Sequence, residues 1–415
     1  MKVFKFGGAS VKDAAGIANV ARILQSSDDE SLIVVVSAMG KTTNALEKLL
    51  SLTRRGEDGS SERSSLQHFH ATIMQTLFPP EHDVFSEVDT LFQDLDNALQ
   101  AEGPYDKIYD NVVAFGELIS TTIINHYLVS QGASSLWIDA RDYVQTDETH
   151  REAKVDWQET RTRMQALADK LRFHRFLITQ GFIGKSPSGV TTTLGRDGSD
   201  FTAAIFAACV GAKSVTIWKD VPGVMNADPK RIPTVRVFPE LPYREAAEMT
   251  YYGASVIHPK TIQPLATQGI PLYVKNFDDP TLPGTMIYEC RIDNLPPLIV
   301  FKDNQCLVSC KVTDYTFITE DHLRLIFATL TDLNIRINVM QNSAISFSFC
   351  FDFRESKLRA LVARLQPDFE VYYNTGLTLV TIKNYDSTTV ELYRKQSVLM
   401  EQSSRTTFQI LLRAQ

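Results

Sequence analysis

Five consecutive apolar residues, Leu32-Ile33-Val34-Val35-Val36, stand between two segments whose apolar positions repeat at helical spacing. Ile17, Val20, Ala21 and Leu24 precede the run, and Leu46, Leu49 and Leu50 follow it. A short β-branched run without polar alternation suits a strand covered on both faces, as in a parallel sheet flanked by helices. The alternation recurs. Val3–Phe6 reads as a strand, and strand signals return at 136–139, 176–179, 214–218 and 271–274, with helical patterns at 201–210 and 260–268. These imply an α/β domain, layered αβα around a mostly parallel sheet. Residues 57–103 carry helical spacing alone and read as a helical insertion.

Beyond Pro296-Pro297 the segments shorten. Strand 306–312, helix 320–333, strands 335–340 and 344–352, helix 354–365 and strand 369–374 make one βαββαβ unit. A second begins at Gly376 and has fewer strands than it needs, unless strand 297–302 completes it. The expected division is therefore 1–294, then two small α+β modules of ferredoxin-like order, 295–375 and an incomplete 376–415.

Charge and cysteine content narrow the function classes. With 42 basic and 49 acidic residues the formal charge is −7, so there is no basic excess to draw in a nucleic acid. Five cysteines with no C-x-x-C pair suit a reducing compartment, and Cys306 and Cys310 are expected to pack in a strand. No uninterrupted run of 18 apolar residues occurs and the start lacks an apolar leader, so a cytoplasmic protein without a membrane partner is expected.

Chemistry is expected where strands run into loops, because ligands of such sheets bind at the carboxyl ends of strands. Lys5-Phe6-Gly7-Gly8-Ala9-Ser10 offers an ammonium beside a glycine pair whose N–H groups can cradle a phosphate; a tight turn with a surface lysine reads equally well. Gly195-Arg196-Asp197-Gly198-Ser199-Asp200 sets a guanidinium and two carboxylates before an apolar helix, though such a loop also occurs as a plain turn. Trp218-Lys219-Asp220-Val221-Pro222-Gly223 ends a strand in a base and an acid.

Together with Ser37-Ala38-Met39-Gly40, Thr43-Asn44, Phe115-Gly116-Glu117, Gln180-Gly181-Phe182-Ile183-Gly184 and His258-Pro259, these segments resemble, in order, the amino-acid kinase family and within it the aspartate kinases. The tail resembles that family's paired ACT modules. The resemblance implies transfer of the γ-phosphoryl group of ATP, with Mg2+, to the side-chain carboxylate of L-aspartate, the first step toward lysine, threonine and methionine. It implies catalytic roles for Lys5 and Asp200. Substrate contacts fall to Ser37, Thr43, Glu117, Arg196 and Ser199: Arg196 meets the α-carboxylate and Glu117 the α-ammonium. Nucleotide contacts fall to Lys5, Phe6, Gly7, Gly8, Lys219, Asp220, Met225 and Lys230. His258 reads as a helix-start residue.

The sequence departs from the family in three places: Asp197 stands where glycine or asparagine is common, Met225 where an aromatic residue is, and Ser255 where a lysine is. Lys260 and Lys275 are candidates for the missing charge. Another acyl-phosphate-forming kinase, for glutamate or acetylglutamate, and a degenerate kinase acting as an amino-acid sensor are the alternative functions. The module turns 314–319 and 383–387 contain no glycine, and the strand bearing Ile345, Phe347, Phe349 and Phe351 suits a homodimer contact. The tail is therefore expected to dimerise the enzyme, with weak feedback inhibition.

Overall fold

The run Leu32–Val36 is a strand with every residue buried. Its neighbours follow from a computed structural model that describes all residues except 28–30, 255–256, 294, 314–315 and 414–415. The chain divides into two units: 1–224, 237–247 and 256–291 form the first, and 225–236, 248–255 and 292–415 the second.

In chain order the first half runs β1 (Lys2–Phe6), α1 (Ala14–Gln25), β2 (Leu32–Val36), α2 (Thr42–Arg55), α3 (Ser60–Leu77), α4 (Val84–Gln100) and α5 (Tyr105–Ser130). There follow β3 (Ser135–Trp137), α6 (Trp157–Met164), α7 (Leu167–Phe173), β4 (Phe176–Gln180), β5 (Ile183–Lys185) and β6 (Thr191–Thr193). Then come α8 (Gly198–Val210), β7 (Val215–Lys219), β8 (Glu240–Pro242), α9 (Tyr243–Tyr252), α10 (Pro259–Gln268), β9 (Leu272–Asn276) and β10 (Thr285–Tyr288). Eight strands form one sheet in the order β3-β4-β2-β1-β7-β9-β10-β8, antiparallel only between β9 and β10.

That order positions the site. The chain moves outward from β1 through β2 to β3 at the edge, inserts β4 between β2 and β3, then crosses to β1's other side with β7. Lys5 lies level with Val35 on β2 and Ile217 on β7. The carboxyl ends of β1, β2, β4 and β7 thus open at one edge, where the strand order reverses. Strand alternation sends Phe4 and Phe6 to one face, where they meet Trp218 and the core shared with α1 to α5. Lys5 takes the opposite face, where α8 contacts β1.

α5 has 17 buried residues, Asp110 and Glu117 among them, and its middle is buried on all sides. It is long and apolar enough to cross a membrane, yet 78% of its most apolar window is buried inside the protein. Gly116 lets it approach the loop after β2: a Cβ there would sit 2.9 Å from that of Ala38.

The second unit contains β11 (Leu298–Val312), α11 (Glu320–Asp332), β12 (Ile337–Asn342), β13 (Ser346–Asp352), α12 (Glu355–Leu365), β14 (Phe369–Lys383), α13 (Ser387–Arg394), β15 (Val398–Ser403) and β16 (Thr407–Arg413). Its strands form one sheet, β12-β13-β11-β14-β16-β15. β11 and β14 are 15 residues each, so Leu298–Lys302 pairs with Leu379–Lys383 while Leu307–Val312 pairs with Phe369–Asn374. A register shift between Lys302 and Gln305 marks the midpoint. The sequence reads strands 297–302 and 306–312 as separate and starts a new module at Gly376; the structure runs β11 and β14 through both points. Phe347, Phe349 and Phe351 are buried in a core with Ile326, Leu330, Leu358 and Leu361, so they are not available as a dimer contact. Cys306 and Cys310 share that core.

Candidate active site

The strand-end loops of the first unit enclose a cleft of about 800 Å³. At its base Lys5 Nζ lies 2.6 Å from Asp200 Oδ1, and Lys219 Nζ lies 3.8 Å from Asp200 Oδ2. The Asp200 side chain is only 5% exposed. Burial alone would raise its carboxyl, but the Lys5 and Lys219 ammonium groups outweigh that and hold it below the usual carboxylate range. The carboxylate is delivered by the first turn of α8, and the two lysines by the ends of adjacent strands β1 and β7. Gly7 and Gly8 line the cleft beside Lys5. Gly8 is required by close approach: a Cβ would stand 2.5 Å from the Ala38 carbonyl, and Gly40 N donates to Gly8 O at 2.9 Å. The glycine loop and the loop after β2 are therefore locked together.

Glu117, on α5, reaches the cleft beside that loop, and Ala38 N lies 3.4 Å from its Oε1. Its Oε2 is buried without a hydrogen-bond partner among the described residues. Burial, offset only in part by the Ala38 N–H and Lys5, pushes this carboxyl up to about 8. A buried acid with an unoccupied acceptor is matched by a substrate ammonium, which restores the ionised form. Ser37 and Thr43 line the same cleft, as do Arg196 and Ser199. Ser199 is held against Gly181, where a Cβ would collide with it at 2.4 Å. The Arg196 side chain is 82% exposed and lies 3.7 Å from the Asp197 carboxylate. Asp197 has φ 55, a left-handed conformation that glycine and asparagine adopt most readily.

The cleft thus gathers Lys5, Gly7, Gly8, Ser37, Thr43, Glu117, Arg196, Ser199, Asp200, Lys219 and Asp220. The Phe6 side chain is instead buried in the core, stacked on Trp218. Met225 and Lys230 lie in the segment that groups with the second unit and are not among the lining residues. Ser255 lies outside the described residues. Lys260 and Lys275 line other cavities. His258 caps α10, its Nδ1 accepting from Lys260 N at 3.2 Å.

Sequence reasoning missed one side of the cleft altogether. Tyr109, Arg151 and Glu152 line it; Phe182, which the resemblance places near the nucleotide, lines the cleft as well, from a left-handed backbone at φ 71. Beneath them Asp110, fully buried on α5, accepts from Thr193 Oγ1 at 2.6 Å and from Arg151 N at 3.1 Å, with His150 Nδ1 2.8 Å away. Burial raises this carboxyl despite those three partners. The signal available was an acid seven residues before Glu117 in the same mostly apolar helix.

Comparison with known proteins agrees with this geometry. The model of the amino acid kinase family matches residues 1–276. The chain is 31% identical to aspartokinase 2, chloroplastic, of Arabidopsis thaliana, over 88% of this chain and 68% of that protein. It is 30% identical to bifunctional aspartokinase/homoserine dehydrogenase 2, chloroplastic, of the same plant, over 90% of this chain but 42% of the relative's length. The structure is similar to that of E. coli aspartokinase III in complex with aspartate and ADP, at a TM-score of 0.83 and 27% identity, covering 100% of this chain and 96% of that one. A cleft with its cations at the ends of β1 and β7, in a chain matched over this span, leaves one assignment: the chain belongs to the amino acid kinase family, on its aspartokinase branch.

Proposed function

We propose that the protein is an ATP-dependent aspartate kinase, transferring the γ-phosphoryl group to the side-chain carboxylate of L-aspartate to give 4-phospho-L-aspartate. One observation carries this reading: a single cleft holds a lysine-bracketed aspartate at its base, a buried acid with an open acceptor, and an exposed arginine. The E. coli relative was solved with aspartate and ADP, the acceptor and the spent form of the phosphoryl donor in this reaction.

The acceptor carboxylate is already ionised at neutral pH, so no general base is needed. The barrier lies in bringing two anions together and in stabilising charge on the transferring group. Lys5 and the amides of Gly7 and Gly8 face that charge. Asp200 fixes the Lys5 ammonium, and Lys219 shares the load on Asp200, so neither cation collapses onto the carboxylate alone. ATP enters as its magnesium complex, the metal held chiefly by phosphate oxygens and water. Glu117 takes the α-ammonium and Arg196 the α-carboxylate, which leaves the side-chain carboxylate pointed at the phosphoryl group. We also infer a homodimer formed through the tail modules, supported by the exposure of Tyr372 and Tyr373 on β14 and Met340 on β12.

The test is hydroxamate trapping of the acyl phosphate with aspartate, glutamate and acetylglutamate side by side. Product with aspartate alone is expected; preference for either other acceptor overturns the assignment.

A further inference from the structure

We propose that Arg151 is a second guanidinium for the substrate: with Arg196 it grips the carboxylate that does not react, and so helps to select the acceptor. The proposal rests on the aspartate kinase reading above.

The backbone is the first sign. Arg151 sits at φ 68, a left-handed conformation that a residue with a long side chain rarely holds unless its surroundings impose it. Here they do. The buried Asp110 carboxylate takes the Arg151 N–H with both oxygens, each at 3.1 Å. The guanidinium itself lies over the Tyr109 ring, 4.1 Å from its centroid, and Tyr109 is anchored in turn through its hydroxyl to Glu47. Strand, helix and loop together hold one side chain at the wall of the cleft, and a side chain placed at that backbone cost reads as functional.

The second sign is the neighbour. The Arg151 loop is zipped to the loop that carries Arg196: Ala153 N donates to Thr193 O at 2.9 Å. A Cβ on Gly195 would stand 3.0 Å from Glu152 Cγ and 3.2 Å from the Arg151 carbonyl. Two guanidinium groups are thus carried on touching loops that line one cavity. Lys5, Lys219 and the glycine amides already serve the phosphate end, so the pair is left for the planar carboxylate that a guanidinium fork fits. The ion pair that Arg151 makes in this structure, with Asp106 at 3.4 Å, joins two half-exposed groups and is readily exchanged for a substrate anion.

Glycine tolerates the left-handed backbone without strain, so Arg151→Gly removes the guanidinium while leaving the loop its conformation. The variant is compared with wild type on two acceptors: L-aspartate and its α-carboxamide, which keeps the side-chain carboxylate but loses the one assigned to Arg151. The expected result is an aspartate KM raised about tenfold or more, carried by KM rather than kcat. With the α-carboxamide, as acceptor or as competitor of aspartate, variant and wild type should coincide. Arg151→Lys, which restores charge without the fork, should fall between them. The unfolding midpoint of Arg151→Gly should equal or exceed that of wild type.

An unchanged aspartate KM would mean that Arg151 only stacks on Tyr109, and the proposal fails. An equal loss on both acceptors would mean a positioning effect without carboxylate contact, and it fails again. A wild-type protein that makes no acyl phosphate with aspartate would overturn the functional reading itself, and this proposal with it.

Discussion

Replacing Lys5 by methionine tests whether its ammonium acts on the reaction or merely neutralises Asp200. Asp200 is nearly buried between cations at 2.6 Å and 3.8 Å. At an effective dielectric near 20, those separations correspond to gross attractions of about 6 and about 4 kcal/mol. Desolvating the carboxylate costs several kcal/mol, so both cations are needed to keep it comfortably ionised. Lys5→Met removes the larger attraction and should lower stability by about 2–4 kcal/mol, somewhat less than a wholly stranded buried charge because Lys219 remains. Lys5→Met/Asp200→Asn removes both charges and should return to within about 1 kcal/mol of wild type, since an apolar or neutral pair carries no desolvation debt.

Catalysis should not recover with stability. Losing one preorganised donor to developing charge typically costs about 2.7–4 kcal/mol, or about 10²–10³ in kcat. Both variants should show that loss by hydroxamate assay at saturating aspartate and ATP, with an aspartate KM within about threefold of wild type. Urea titrations of the same preparations supply the stability values. Two results refute the reasoning. If Lys5→Met keeps more than about a tenth of wild-type kcat, the ammonium does not meet transition-state charge. If the double variant regains activity, Lys5 existed only to balance Asp200.

Arg196→Ala should raise the aspartate KM by about 10–100-fold, the value of a charge-assisted contact, and leave the ATP KM alone; a fall in nucleotide affinity instead would reverse the assignment of the two loops. Glu117 holds a proton in the folded state up to about pH 8 but loses it near 4.5 when unfolded, so its burial costs stability progressively as pH rises between those values. Glu117→Gln lacks that slope, and urea midpoints should show the variant gaining about 3.5 kcal/mol on wild type between about pH 5 and about pH 8, while its aspartate binding is lost; parallel pH profiles would contradict the buried acid. In the tail, Thr319 Oγ1 accepts from His322 N and the Asp386 carboxylate from Thr389 N, so the helix-start N–H groups that a ligand carboxylate would use are already capped. Lysine, threonine and methionine, singly or in pairs, should therefore fail to reach half-inhibition below about 1 mM; any that does has found some 4 kcal/mol of contacts elsewhere.

The parts of this molecule legible in the sequence are those whose signal is local. Leu32–Val36 announces a doubly covered strand because its neighbours in sequence are also its context, and Gly7-Gly8 announces a close approach because only glycine permits one. The parts that were not legible depend on partners far along the chain. Asp110 and Arg151 are 41 residues apart, and nothing in either segment names the other. α5 hides its period because it is buried on every side, so the apolar stripe that marks a surface helix is absent. The phenylalanines of β13 alternate correctly, but alternation gives two faces without saying which one the helices cover.

That dependence on distant partners also decides how the cleft can bind anions. Lys5, Arg151, Arg196 and Lys219 line it with four positive charges, and Glu117, Glu152, Asp197, Asp200 and Asp220 with five carboxyl groups. Burial favours the protonated form of Glu117, so opposite charges nearly balance across the lining. Binding must come from where the charges stand. Asp200 is spent on Lys5 and Lys219, and Asp197 lies 3.7 Å from Arg196 but is itself partly in water, where such pairs are weak. The cations nearest solvent are therefore the ones most easily recruited by a substrate, and they sit on the two loops tied together at Gly195. The Arg196 loop leaves β6 of the separate β5-β6 pair, and the hydrogen bond from Ala153 N to Thr193 O ties it to the Arg151 loop, so the placement of these two cations comes from that tie rather than from the charge of the chain as a whole.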